Sequence, residues 1–280
     1  MTTMTTVSLA DVRPVGDHLR EWRRRRRMSQ LELAAEADVS TRHLSFLETG
    51  RSAPSREMVL RLAEHLDVPL RDRNLMLVAA GYAPVYAETP IEEPRMDAVR
   101  AALRQVLAGH EPYPAVVVDR FWNLVESNEA AGLFLQGAPA ELLRPPLNVL
   151  RLSMHPAGMA RNVVNLPEWR AHMIGRLRRH VALTGDAALT ALYRELRDYP
   201  DAGPPGDAFP PPAGNEVLVP LRMRVDGREL SFFSTIATFG SPLDITVAEL
   251  AIESFYPADA ATGEFLREGA AARRRPPADG

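Results

Sequence analysis

The chain has 280 residues, which is enough for two domains, and it carries a formal net charge of −3 at pH 7. It contains no cysteine, and this excludes disulfides, catalytic thiols and zinc sites with cysteine ligands. No apolar run approaches the roughly 18 residues of a membrane helix, and the first residues do not predict a signal peptide. The lack of disulfides fits a reducing compartment, so we expect a cytoplasmic protein.

The basic residues are unevenly placed. All 33 are arginine, a bias typical of a GC-rich bacterial genome, and they outnumber the acidic residues only in the first eighty positions. The densest basic patch is Arg23 to Arg27. Neighbours on a helix point about 100° apart, so these five side chains do not share one face. We expect Arg23 to be internal. Arg24, Arg25 and Arg27 are expected either to face solvent or to contact a phosphate.

The N-terminal segment predicts three short helices. Leu19 and Trp22 fit the inner face of the first helix. Ser29 and Glu32 form a capping box that begins the second. Its predicted inner side consists of Leu31, Leu33, Ala34 and Ala37. Val39 plugs the following turn. Ser40 then caps a third helix, which turns Leu44 and Leu47 inward and stops at Gly50.

Two more helices complete this unit. The apolar positions Met58, Val59, Leu62, Ala63 and Leu66 predict a fourth helix. The fifth is expected over residues 70–80, with Gly81 as its stop. The outer side of the third helix carries Thr41, Arg42, His43, Ser45 and Phe46, which packing does not require. Polar side chains at the start of such a helix reach base edges in the major groove.

Residues 15–80 resemble the Xre-type helix-turn-helix family, the fold of the phage lambda and 434 repressors. The pieces SQ-x-x-LA, VS-x-x-x-LS-x-LE-x-G-R and P-S carry the resemblance at the family's spacing. It implies that Gln30 touches a phosphate, that Arg23 pairs with Glu48, and that the third helix reads bases. Arg27 replaces the family's usual glycine, so we expect a slightly different turn there. The predicted DNA-binding residues are Gln30, Ser40, Thr41, Arg42, His43, Phe46 and Arg51.

A proline-rich linker over residues 83–95 precedes the second domain. A helix is predicted over 97–109, with Met96, Val99, Leu103, Val106 and Leu107 inward. Two strands, 115–118 and 121–125, are then expected around a tight turn at Asp119 and Arg120. Asn128 caps a short helix over 129–135. Longer helices are predicted over 167–184 and 186–199, followed by a proline-rich loop over 201–214.

The last third is predicted to be a β-sheet. Alternating apolar residues over 217–225 give a strand with one apolar face, and Asp226-Gly227 is a strong hairpin signal. Leu230, Phe232 and Ile236 continue the buried face on the next strand. A final strand is expected over 245–256. Residues 259–280 are rich in Ala, Gly, Pro and Arg, and we expect a disordered tail.

This order of elements resembles a PAS domain, and the segment 114–262 resembles the ligand-binding domain of MmyB-like regulators. YPAVVVDRFWNLVESNEAAGLF, LNVLRLSMHP, NLPEWRAHMIGRLRRH and VDGRELSFFSTIATFGSPLDITVAELAIESFYP carry it. The resemblance implies a PAS-like domain over 96–258 that senses a small apolar ligand such as a fatty acid. The predicted ligand-binding residues are Trp122, Phe134, Met154, Trp169, Phe232 and Ile236 as walls, with Arg151 or His155 as a carboxylate anchor. A surface role is the alternative for those two.

The fold class is therefore α+β: a five-helix, all-α helix-turn-helix domain over 15–82, then a PAS-like antiparallel sheet with helices. No nucleotide-binding, nucleophile-elbow or zinc-protease motif occurs in the sequence, so we expect neither an enzyme nor a cofactor. His155, His172 and His180 are more simply explained as ordinary histidines than as a metal site. The leading hypothesis is a ligand-responsive transcriptional regulator that binds operator DNA as a homodimer. The alternative is a helix-turn-helix interaction protein whose second domain binds a protein partner, and a weaker one is an enzyme with an attached DNA-binding module.

Overall fold

The computed structural model describes residues 13–200 and 218–273. Contacts divide them into two units. The first unit comprises the described residues up to Thr89 together with Pro242–Ala248. The second comprises Pro90–Ser241, as far as described, and the described residues from Glu249 onward. In these described ranges no helix is long and apolar enough to cross a membrane.

Five helices form the body of the first unit, as the sequence predicts: α1 (Val15–Arg25), α2 (Gln30–Glu36), α3 (Thr41–Glu48), α4 (Arg56–His65) and α5 (Leu70–Ala79). The capping box of Ser29 and Glu32 is present, and Ser40 and Ser55 cap α3 and α4. The core includes Leu19, Trp22, Leu33, Leu44 and Leu47. Leu31 is 68% exposed, so its predicted inward place is wrong. It lies about 200° around α2 from Leu33, on the opposite side.

Arg27 lies at a strained position in the turn between α1 and α2. Arg27 has φ 58°, in the left-handed region, where a residue with a Cβ costs about 1–2 kcal/mol. The Arg27 amide donates to the Arg24 carbonyl, and the Met28 amide donates to the Arg23 carbonyl. The chain accepts this strain at Arg27, and a turn that differs slightly from the family's stays a prediction.

A segment distant in sequence completes the first unit. Residues Ile245–Ala248 form the short helix α11, which belongs to the unit that contains α5. Asp244 accepts hydrogen bonds from the Thr89 hydroxyl at 2.5 Å and from the Thr246 amide at 2.9 Å. The prediction of a strand beginning at residue 245 is wrong, because the Asp244 side chain caps a helical turn there instead.

The second unit is built on one antiparallel sheet of order β2-β1-β5-β4-β3. Its strands are β1 (Ala115–Val118), β2 (Leu124–Ser127), β3 (Leu221–Val225), β4 (Arg228–Ala237) and β5 (Ala251–Pro257). Asp226 and Gly227 have φ 48° and 76° and close the predicted β3–β4 hairpin. The second strand starts later than predicted, because Trp122 at φ 67° takes part in the turn from Asp119. Residues 218–220 precede β3 without forming strand, so the predicted third strand is shortened too.

Helices surround this sheet: α6 (Asp97–Gly109), α7 (Ala140–Leu143), α8 (Val149–Met154), α9 (Leu166–Thr184), α10 (Ala187–Arg197) and α12 (Ala260–Arg273). Short 3-10 helices span Pro94–Met96, Glu129–Leu135 and Met159–Asn162, and Asn128 caps the second of these. The predicted disordered tail is wrong over α12, whose Leu266 joins the core of the second unit. The proline-rich loop over 201–214 lies outside the described residues.

The sheet has two covered faces. On one face Leu103 and Leu107 of α6 pack with Val117 and Ile252. Val106 is 47% exposed and not inward as predicted, since it lies to one side of the stripe through Leu103 and Leu107. The other face forms the larger core, which includes Val116, Phe134, Trp169, Phe232 and Phe255. This larger core contains the cavity described below.

Candidate DNA interface and ligand cavity

Two arginines, one on the outer side of α3 and one just after its end, lie around one aromatic ring. The guanidinium carbon of Arg42 lies 5.3 Å from the ring centre of Phe46, and that of Arg51 lies 5.8 Å from the same ring. Both distances are within the range of cation–π attraction. Arg42 and Arg51 are exposed and Phe46 is half-buried. The ring therefore restrains two cations that remain accessible to a partner.

The other predicted DNA-binding residues take different places. The Ser40 hydroxyl accepts a hydrogen bond from the His43 amide at 3.1 Å, so it serves as the cap of α3. Thr41 and His43 are half-buried beside it. Gln30, predicted to touch a phosphate, donates its side-chain amide to Glu48 at 2.8 Å. This contact fixes the side chain of Gln30 at the start of α2 and leaves its amide oxygen without a described hydrogen bond.

A buried ion pair positions α3 against α1. Glu48 is 3% exposed, and it accepts hydrogen bonds from Nε and Nη2 of Arg23 at 2.6 and 2.9 Å. Burial raises the pKa of Glu48, but hydrogen bonds from Arg23 and Gln30 outweigh this effect and hold the pKa below its usual range. Arg23 also donates to the Met28 carbonyl at 2.8 Å. The pair predicted from the family resemblance is present and links α1, α2 and α3.

The arginines of the run from Arg23 to Arg27 have different surroundings, as their different directions on a helix require. Arg25 pairs with Glu21, and Arg26 donates to the carbonyls of Leu66 and Asp67 at the end of α4. Arg24 and Arg27 are exposed, and no ion pair is described for either within residues 13–200 and 218–273. Of the three predicted phosphate candidates, Arg24 and Arg27 are therefore the more available.

The larger core of the second unit contains a partly open apolar cavity. Its volume, counted over positions that the centre of a water molecule can occupy, is about 60 Å³. One water needs about 10–15 Å³ by that measure, so there is room for several. The walls come from the sheet, the 3-10 helix 129–135, α8 and α9, and include Val116, Phe134, Leu150, Trp169, Met173 and Phe255. Such a site favours an apolar guest over water.

The predicted walls lie near this cavity to different degrees. Phe134 and Trp169 line it. Met154, Phe232 and Trp122 are buried in the same core but are not among the lining residues. Ile236 is 46% exposed, so the prediction that it faces inward is wrong. It lies in the exposed last residues of β4, 235–237, although its strand phase matches that of Phe232.

The two predicted anchors form a separate polar cluster. Arg151 donates two hydrogen bonds of 2.8 Å to Glu195, and the ring of His155 lies 5.3 Å from that of Tyr199. Burial, together with a hydrogen bond to Glu195, raises the pKa of Tyr199 to about 12. Neither Arg151 nor His155 lines the cavity. The guanidinium of Arg151 is already paired with a carboxylate of the protein itself.

Sequence reasoning missed the charged residue of the cavity. Glu253 lines it and is 3% exposed. Its Oε1 accepts hydrogen bonds of 3.0 Å from Nη1 of Arg176 and from the Ser234 hydroxyl. The signal was available, because Ala251, Glu253 and Phe255 alternate on one face of β5. Because that strand was predicted to start at residue 245, the prediction did not identify which of its residues face the core.

Two further histidines considered in the sequence analysis, His172 and His180, are half-buried on α9. Burial lowers the pKa of His172, whose ring stacks on Trp169 at 5.8 Å between centres. Burial likewise lowers the pKa of His180. Across the described part of the chain, no group of three or more His, Asp or Glu side chains is placed to hold a metal ion.

Comparisons with known proteins agree with the division of the chain into two units. Residues 99–268 match the model of the MmyB-like transcription regulator ligand binding domain, and residues 19–72 match a helix-turn-helix model. None of the curated proteins matches the chain. A solved structure described as "Structure of an RNA-binding Light-Oxygen-Voltage Receptor" is 15% identical, over 94% of this chain and 64% of that one. Its TM-score is 0.26, so this likeness carries no argument here.

Proposed function

The chain belongs to the family of MmyB-like transcription regulators with a ligand-binding domain, and we propose that it binds operator DNA through α2 and α3. An apolar ligand that fills the cavity of the second unit then raises or lowers its affinity for that DNA. Both matched families are regulatory. The observation that carries the sensing half is the apolar cavity itself, walled by Phe134, Trp169 and Met173. The partner-binding alternative requires an exposed apolar patch in its place.

The cluster on α3 supports base reading. Arginine forms the commonest specific contact with guanine, through two hydrogen bonds in the major groove. Arg42 sits in the first turn of α3, where a recognition helix contacts bases, and Phe46 restrains its guanidinium. Arg24 and Arg27 supply cations for phosphates. Contacts with phosphates add affinity that salt weakens, but they carry no sequence information.

Arg42→Ala tests this assignment. The operator is first selected from a random duplex library with the full chain. We expect Arg42→Ala to weaken operator binding by about 1–3 kcal/mol and to relax preference at one base position. Arg61→Ala removes an equally exposed arginine from α4 and serves as the control. An unchanged base preference in Arg42→Ala would place the reading elsewhere.

The chain itself connects the two functions. Residues 242–248 belong to the first unit, yet in sequence they lie between β4 and β5 of the second. We propose that a change in these strands on ligand binding reaches the helices through this segment. Asp244→Ala removes the hydrogen bonds to Thr89 and Thr246. It should preserve binding of ligand and of operator separately while reducing the effect of one on the other.

We propose that the ligand is a small molecule with an alkyl chain, of which a fatty acid is one example, and that the cavity of about 60 Å³ widens to admit it. Each buried methylene contributes about 0.8 kcal/mol, so a chain of moderate length binds without many polar contacts.

A single helix-turn-helix unit reads only a few base pairs, so we propose a homodimer on a two-fold symmetric operator with half-sites about 34 Å apart. Sedimentation with and without operator tests this. We place the protein in the cytoplasm, where its DNA partner lies.

A further inference from the structure

Glu253 gives the cavity an unusual polar feature. Among the described residues that line the cavity, it is the single charged side chain, and the only other polar ones are Ser127 and Ser153. A carboxylate as buried as this is costly unless it is paired and hydrogen-bonded. Arg176, on α9, supplies the pairing charge at 3.0 Å.

The two carboxylate oxygens of Glu253 are not equally hydrogen-bonded. Both described hydrogen bonds of Glu253, from Arg176 and Ser234, end on Oε1. Its Oε2 accepts none from any residue in the described ranges. A carboxylate oxygen accepts two hydrogen bonds without strain, so Oε2 retains full capacity for a donor. Among the described residues, Oε2 is not one of the fully buried atoms that lack a partner, so it has accessible surface where water or a donor on a guest can complete its hydrogen bonding.

The compensating cation does not itself face the ligand space. Arg176 is absent from the lining, and its guanidinium carbon lies 4.3 Å from the ring centre of Trp122. A guest in the cavity therefore meets an acceptor oxygen rather than a cation. A guest with its own carboxylate would place a second anionic group near Glu253, with Arg176 as the one described cation paired with that acid, and the repulsion between the two carboxylates disfavours binding where little water screens them.

We propose that Glu253 determines specificity for the head group, and that the ligand is an alkyl compound whose head donates a hydrogen bond, such as an alcohol or a primary amide, rather than a carboxylate. This inference rests on the proposed sensing function and narrows its ligand class. It also assigns the head-group contact to β5 instead of the cluster of Arg151 and His155.

The test compares guests that differ only in the head group. Decan-1-ol, decyl methyl ether and decanoate are titrated into the full chain, with calorimetry and tryptophan fluorescence as readouts, since Trp169 lines the cavity. We expect decan-1-ol to bind about tenfold more tightly than decanoate and clearly more tightly than the ether, which donates no hydrogen bond. Tenfold is the scale that one hydrogen bond to a charged group supports.

The variant Glu253→Gln should bring the affinities for decan-1-ol and decanoate together, because the amide is neutral and can also donate. Glu195→Gln makes the same change at a partly exposed, arginine-paired glutamate outside the cavity and should preserve the preference. Equal or tighter binding of decanoate by the unaltered protein overturns the inference alone. Failure of all three guests to bind overturns the sensing function with it. The unaltered protein decides between these outcomes even where Glu253→Gln does not fold.

Discussion

Removal of the Glu48 carboxylate should destabilise the first unit strongly. In Glu48→Ala, Arg23 loses two hydrogen bonds while its side chain stays only 12% exposed, and Gln30 loses its partner. Breaking a buried pair from one side costs about 3–5 kcal/mol. We expect the lower part of that range, about 3 kcal/mol, because Arg23 keeps the Met28 carbonyl. For a domain of this size such a loss lowers Tm by about 12–24 °C.

Because the chain has two units, the assay must report on the first unit by itself. Hydrogen exchange read by mass spectrometry over α1 to α3 gives that local stability in the full protein. Glu36→Ala, which removes an exposed glutamate from α2, is the matched control and should change little. A loss below about 1 kcal/mol in Glu48→Ala would refute a buried, stabilising pair.

The pH dependence of this pair has a definite sign. The pKa of Glu48 is lowered on folding from its ordinary value of 4.5. The unfolded chain therefore binds more protons just below pH 4.5, so the stabilisation is full above that pH and is lost as pH falls through the lowered pKa. The difference between the unaltered protein and Glu48→Gln should accordingly narrow from pH 7 to pH 3.

Two further predictions follow from close packing and from burial. A Cβ at Gly16 would lie 2.4 Å from the Leu47 carbonyl oxygen, so Gly16→Ala should cost about 1–3 kcal/mol in thermal unfolding, whereas Gly109→Ala, with open space, should not destabilise. Stable Gly16→Ala would mean that α1 moves away freely. Burial lowers the pKa of His180 from 6.5, so the second unit should lose stability as pH falls below 6.5, and His180→Gln should flatten that slope. An identical slope in His180→Gln would exclude this histidine as the cause.

The sequence predicted the first unit well because its signals are local. Capping residues such as Ser29 and Ser40 mark helix starts within a few positions, and these starts are found in the structure. The error at Leu31 came from treating every apolar residue of a short helix as inward. The outer surface of α3 was identified by elimination, but the stacking of Arg42 on Phe46 depends on side-chain conformations that spacing does not encode.

The second unit was predicted less completely because its architecture depends on long-range pairing. The hairpin at Asp226-Gly227 follows from alternation and turn residues, and the fold class is confirmed, but the pairing of β1 with β5 is seen only in the structure. Nothing local indicates that Asp244 bonds to Thr89, 155 positions away, and turns residues 245–248 into a helix. Arg151 or His155 was the expected carboxylate anchor, but folding places Glu195 against Arg151. Only the tertiary structure brings Arg176 to Glu253.

The most direct test of the central claim is operator affinity measured with and without a ligand in the cavity. Fluorescence anisotropy of the selected duplex with the full chain gives Kd at saturating decan-1-ol and in its absence. A coupled regulator should change this Kd at least about fivefold. Ala131→Leu enlarges a side chain that lines the cavity and so fills part of it. This variant should abolish the ligand-dependent change in operator Kd while leaving operator binding intact. An operator Kd that is the same with and without bound decan-1-ol would contradict the account.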